Sequence, residues 1–395
     1  LAGTKMNKQI LDYPLFALGF RAFFALAGLF ALILITLWTS IFDSSLVTDN
    51  YYPSTYWHAH EMLLGYSIAV IAGFLLTAVK NWTGIQTLHG DKLAGMCLLW
   101  VYGRIVPFYS ELLPDGLIAL IDFSFLPALA YFVAKPIIQS GNLRNLFFIA
   151  LILAMALGNA LVHLEILGIK EQTANLGFDL IVGIIIMMIL IIAGRIFPFF
   201  TERGLKGVMA IRNPMLDGVA IATSVLVFIL LIFDINGMVL TIAALAAAIV
   251  NFIRVSGWYD SKIWFVPLLW VLYMGYGWIM IGFAFIALAS LDMVPFSVAL
   301  HAFTVGGIGV LTLGMMARVS LGHTGRAMKA SNTIAIAFVL INIAALFRVL
   351  LPSLVPDWYS SFLLISTYSW LAAFALFVFI YTPILSTARI DGQAG

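Results

Sequence analysis

The stretch WHAHEMLLGYSIAVIAGFLLTAVKNWTG, Trp57–Gly84, decides the architecture. Between His60 and Lys80 it is a nearly unbroken apolar run. As a helix, such a run spans a bilayer core of roughly 30 Å. At its mouth stand two imidazoles and a carboxylate, His58, His60 and Glu61. Runs of the same kind recur through the 395 residues, of which 63% are hydrophobic and 10% charged. The mean hydropathy is +1.08. Lipid offers backbone groups no hydrogen-bond partner, so apolar runs of this length read as spanning helices. The fold class is therefore an all-α integral membrane protein.

Breaks marked by charge, proline and glycine separate twelve expected helices. They fall near 16–41, 60–80, 93–112, 117–135, 144–166, 175–201, 215–234, 237–256, 263–289, 296–320, 331–351 and 359–385. The loops are short, so a single transmembrane domain is expected over 16–385, between an N-terminal segment 1–15 and a tail 386–395. The residues ahead of Met6 have the look of an expression remnant and carry no fold information. A formal net charge of +2 gives no reason to expect nucleic acid as a partner. The lone Cys97 excludes an intrachain disulfide and a cysteine-based metal cluster.

Lysine and arginine stay on the cytoplasmic side of such proteins. With the N-terminus inside, the inner segments collect Lys5, Lys8, Lys80, Lys92, Lys135, Arg144, Arg203, Lys206, Arg212, Arg254, Lys262, Arg326, Lys329 and Arg389. The outer loops hold Lys170 alone, with Asp43, Asp49, Glu111, Asp115, Asp234, Asp292 and Asp357. Both termini are accordingly expected in the cytoplasm.

That orientation gives each intramembrane polar residue a depth. His58, His60 and Glu61 open helix 2 from the outside; His163 and Glu165 close helix 5; His301 opens helix 10. Arg104 and Arg348 lie in the outer parts of helices 3 and 11. Ionisable groups at membrane depth are costly and mark functional sites by default. Histidine ligates metals and haem iron, and the arginine fork suits paired carboxylates such as haem propionates. The set therefore reads as one cofactor pocket: His60 and His301 as haem ligands, Arg104 and Arg348 on propionates, His58 and His163 available to a second metal, Glu61 and Glu165 as proton donors. Glycines at 65, 73, 306, 307, 309 and 314 would let a flat macrocycle approach, or serve helix packing. His58 and His60, two residues apart, cannot share a ligand face unless the helix starts between them. Tyr51, Tyr52, Tyr56 and Trp57 read as an interfacial belt, and Asp122, Asp179 and Asp217 as a proton route or as capping and pairing groups.

Two internal echoes are present. GRIVPFYSE at Gly103–Glu111 returns as GRIFPFFTE at Gly194–Glu202, and His60, Gly65 and Gly73 of helix 2 match His301, Gly306 and Gly314 of helix 10.

WHAHEMLLGYSIAVIAGFLLTAVKNWTG, together with HAFTVGGIGVLTLGMMARVSLGHTGR further on, resembles the NnrS family of bacterial membrane proteins, from about Pro14 to the last helix. The resemblance implies haem b, possible copper, and a role in nitric-oxide metabolism, denitrification and protection from nitrosative stress. The chain would then be an oxidoreductase of the nitric oxide reductase type in the bacterial inner membrane. It would take NO as ligand or substrate and electrons from quinol or a separate donor. At the level of architecture it also resembles the haem–copper oxidases, whose twelve helices form three arcs of four. Those enzymes use six histidines; here four lie on the outer side. The other readings are a non-catalytic haem or copper protein that senses or scavenges NO, and a multi-span transporter.

Overall fold

A computed structural model of the chain describes residues 13–46 and 50–393. The expected expression remnant, Lys5, Lys8 and Asp49 lie outside the described residues. Twelve helices succeed one another without a strand among the described residues. They are α1 (Gly19–Phe42), α2 (Ser54–Thr83), α3 (Gly90–Ile105), α4 (Asp115–Gln139), α5 (Phe147–Ile166) and α6 (Ala174–Gly204). Then follow α7 (Pro214–Ile232), α8 (Met238–Ser256), α9 (Pro267–Ala289), α10 (Phe296–His323), α11 (Asn332–Leu354) and α12 (Tyr359–Ser386).

Eleven of these are long and apolar enough to cross a membrane. The exception is α3, with 16 residues. Pro107 ends it, and the chain continues as a 3-10 turn over Val106–Tyr109. Helix and turn together rise ~32 Å, about one bilayer core. Chain punctuation explains the other boundaries. Gly84 closes α2 in the left-handed region at φ 70°. The Asn213 side chain caps α7 ahead of Pro214, and Ser331 caps α11.

Helix α2 begins at Ser54, six residues before the expected start at 60. His58 and His60 are thus both helical, and the helix does not start between them. Directly after His60 the helix widens to a π segment, Glu61–Ser67. The same happens in α10, where π segment Ala302–Gly309 follows His301. The echo between the two helices is therefore also one of backbone geometry. A π segment leaves carbonyls without their helical donor. In α2 the Ser67 hydroxyl donates to Met62 O at 2.7 Å and the Trp100 indole to Gly65 O at 3.1 Å.

By internal contact the helices group into two compact units. The first holds α1–α5, the start of α6 to Ile181, Arg318–Ala327 and the chain from Phe377 onward. The second holds Val182–Ala317 and Met328–Leu376. In the first unit α1 and α4 pack on α2, and α3 and α5 flank α4. In the second, α8 lies against both α7 and α9, and α9 packs on the π segment of α10.

Small residues set the closest crossings. A Cβ on Gly158 of α5 would stand 2.9 Å from the Gly177 carbonyl of α6. The glycines near His301 are filled by protein: Gly306 faces Trp278, Gly307 faces Ile279 and Gly309 faces Trp370. They serve helix packing, not the approach of a macrocycle. Gly158→Val is expected to destabilise the protein by ~1–3 kcal/mol through overpacking. Thermal unfolding in detergent checks this, and an unchanged midpoint would contradict the close α5–α6 crossing.

Candidate functional site

Four helix ends of the first unit meet at one level. His60 and Asp122 lie about two turns into α2 and α4, ~10 Å from their starts. Arg104 is the penultimate residue of α3, and His163 sits in the last turn of α5. All four side chains are buried, His60 and Asp122 at 0% and 3% exposure.

Their contacts converge on one oxygen. Asp122 Oδ2 lies 3.2 Å from His60 Nε2 and 3.1 Å from His163 Nε2. Asn159 joins from α5, its amide donating to Asp122 Oδ2 at 2.8 Å while its carbonyl oxygen stands 3.1 Å from His60 Nε2. The Tyr52 hydroxyl is 3.1 Å from the same His60 nitrogen. One ligand atom each from His60, Asp122 and His163 fits within 4.8 Å of the others.

The outward atoms of these three residues are anchored too. His60 Nδ1 meets Glu61 Oε1 at 3.1 Å, and His163 Nδ1 meets the Tyr51 hydroxyl at 3.1 Å. Asp122 Oδ1 accepts from Arg104 Nη2. Arg104 Nη1 also donates to both oxygens of Glu61, at 2.9 and 2.8 Å. Partners of this kind fix the tautomer and direction of metal-ligating imidazoles. Both Nδ1 atoms are held from behind, so both Nε2 atoms aim at the shared carboxylate.

Charge counting points the same way. Glu61 and Asp122 bring two negative charges and Arg104 one positive. With neutral imidazoles the buried cluster keeps one excess negative charge. Burying an unbalanced charge is expensive, so the cluster demands a cation between its ligands, either a proton on an imidazole or a metal ion. Two imidazoles and a carboxylate suit iron, copper or zinc.

A haem on His60 with a propionate on Arg104, as expected from sequence, does not fit this geometry. Both terminal nitrogens of Arg104 already carry chain carboxylates, and propionates would add negative charge to a cluster that has too much. His60 Nε2 is closed in by Tyr52, Asp122 and Asn159. The void beside Arg104, Asp122 and Asn159 measures about 10 Å³, room for a water or a single ion.

The other expected site residues of the first unit, His58 and Glu165, have partners elsewhere. His58 stacks on Trp38 of α1, with ring centroids 4.2 Å apart at 14°. Glu165 accepts from the backbone N–H groups of Thr173 and Ala174, both at 2.7 Å, and from the Tyr56 hydroxyl at 3.0 Å. It caps the start of α6. His301 and Arg348 belong to the second unit, where His301 Nδ1 donates to Ser297 O at 2.6 Å and Arg348 lies over the Tyr359 ring. Asp122, Asn159, Tyr51 and Tyr52 complete the cluster although sequence reasoning gave none of them a ligand or anchoring role. Their only signal was a polar group in an apolar helix or belt.

Arg104→Ala would leave Glu61 and Asp122 facing each other in a buried site. A loss of ~3–5 kcal/mol is expected, read as a lower melting temperature in detergent. A wild-type melting temperature would contradict the central place given to Arg104.

No curated protein matches the sequence. A family model described as NnrS protein matches residues 14–389, nearly the whole chain. The protein is thus a multi-pass, nitric-oxide-related membrane protein, and it belongs to the NnrS family.

Proposed function

We propose that His60, Asp122 and His163 hold one transition-metal ion, copper or iron, and that this ion takes part in the reduction of nitric oxide. The observation that carries this reading is the convergence of two back-anchored imidazole Nε2 atoms on one carboxylate oxygen. A bound cation would offset the cluster's single excess negative charge, and loading would release any proton the imidazoles hold.

Reduction follows 2 NO + 2 e⁻ + 2 H⁺ → N₂O + H₂O. A bound ion supplies affinity for NO and accepts electrons one at a time. The chain does the rest. Glu61 and Tyr51 orient the imidazoles, and Arg104 fixes the far oxygen of Asp122. Tyr52, with its hydroxyl 3.1 Å from His60 Nε2, is the nearest proton source. NO is small and apolar, so it reaches a buried intramembrane site through lipid without a polar channel. Glu165 is committed to the α6 N-terminus, which leaves Glu61, of the two expected glutamates, in the cluster.

Haem b, which the family resemblance implies, would need a ligand outside this cluster, and His301 is the candidate among the expected histidines. Its Nδ1 donates to a carbonyl, so a haem iron there would be met by Nε2. The bacterial inner membrane and cytoplasmic termini complete the reading, on the lysine and arginine distribution.

Purified protein should carry about one transition-metal ion per chain beyond any haem. His163→Ala should lose that ion and N₂O formation from NO under ascorbate and a mediator, while the protein still purifies folded. Full metal content in both His60→Ala and His163→Ala would refute the site. In the same preparations His301→Ala should lose the Soret band; an intact band would remove His301 as haem ligand.

A further inference from the structure

The second unit repeats the polar pattern of the first with one exchange. Gly103, Asp122 and Asn159 on α3, α4 and α5 are matched by Gly194, Asp217 and Asn251 on α6, α7 and α8, at a nearly constant spacing of roughly 90 residues. In the first unit Gly103 sits against Asp122; in the second Gly194 sits against Arg254 and Asp217. Arg254 stands where the first unit has His163. Its Nε donates to Asp217 Oδ1 at 2.6 Å. Its Nη1 donates to Leu190 O at 3.0 Å and to the Tyr276 hydroxyl at 3.2 Å, and that hydroxyl donates to Asn251. A guanidinium thus fills the place of a metal ligand and leaves the pair neutral.

Beside this pair is a cavity of about 300 Å³. Ile211, Leu216, Ile253 and Trp258 line it together with the polar Asn213, Asp217, Arg254 and Ser256. It opens at helix ends, between the first turn of α7 and the last turn of α8. Ile253 and Met215 are exposed there, at 49% and 76%. Arg254 is only 4% exposed, so it offers an anion no surface charge. The Asp217 side chain is 36% exposed, and its Oδ2 accepts no hydrogen bond among the described residues. The cavity therefore suits a neutral molecule with a largely apolar body and a hydroxyl that donates to a carboxylate. Its volume is at the small end for ligand pockets, enough for one substituted ring.

We propose that this cavity binds the ring of a membrane hydroquinone, with a phenolic O–H donating to Asp217 Oδ2. The choice of a redox-active ligand rests on the NO-reducing reading above. A hydroquinone carries two electrons and two protons, which closes the reaction: QH₂ + 2 NO → Q + N₂O + H₂O. Two O–H bonds break in the quinol, the ring is oxidised, NO nitrogen is reduced, and the Asp217 carboxylate accepts the first phenolic proton.

The test is equilibrium binding of a decyl-substituted benzoquinol, and of its oxidised benzoquinone, to the full chain in detergent under anaerobic conditions. The quinol should bind saturably. Ile253→Trp, at an exposed wall, should weaken both forms by about tenfold or more. Asp217→Asn should weaken the quinol more than the quinone, because only the quinol donates a hydroxyl. Metal content in the same samples should stay at its wild-type value. Quinol binding unchanged in both variants would overturn the proposal while leaving the metal site and N₂O formation with ascorbate intact. Saturable, variant-sensitive binding by a protein without metal would support the cavity and count against the NO-reducing centre alone.

Discussion

The ion pair between Arg104 and Asp122 is the junction on which the first unit depends. Asp122 alone at membrane depth would be a buried charge without compensation. Arg104 compensates it and, through Glu61, also reaches the back of His60. One guanidinium thus ties α3 to α4 and α2, while the Asp122 carboxylate gathers α5 through His163 and Asn159. The helix ends are held at one level by polar contacts that lipid cannot replace. The same contacts point two imidazole nitrogens at one oxygen. The contacts that hold the helices and those that aim the imidazoles share the same atoms.

The π segments belong to this argument. A helix that widens directly after His60 turns Glu61 toward Arg104 and opens carbonyls that Ser67 and Trp100 then satisfy. The segment after His301 is built the same way but closes on Trp278, Ile279 and Trp370 instead of on charge. The two units thus share devices and differ in use. In the second, Arg254 takes the place of an imidazole and neutralises Asp217 from within, so that pair needs no metal ion and borders a neutral cavity.

The helices were legible in the sequence because apolar length and charged breaks are local properties. The boundaries that slipped have physical reasons. Ser54 to Tyr56 are polar or amphipathic and hid the first turn of α2, and Pro107 shortened α3. Depth was legible as well, since His60, Glu61, Arg104 and His163 do meet at one level. Neighbourhood at that depth was not. His58 stacks on Trp38, and His301 and Arg348 belong to the other unit, because a residue's place along its helix does not say which helices are its neighbours. Asp122 was visible only as a buried acid. Its partners lie 18 to 62 residues away, at Arg104, Asn159, His163 and His60, and no spacing links them.

The central claim is that the imidazoles of His60 and His163 share a metal ion with Asp122. X-ray absorption of the purified protein at the copper and iron edges tests it most directly. Shared ligation by His60, Asp122 and His163 predicts a non-porphyrin metal bound by two imidazole nitrogens and oxygen. A spectrum containing porphyrin iron alone, with no second metal, would contradict it.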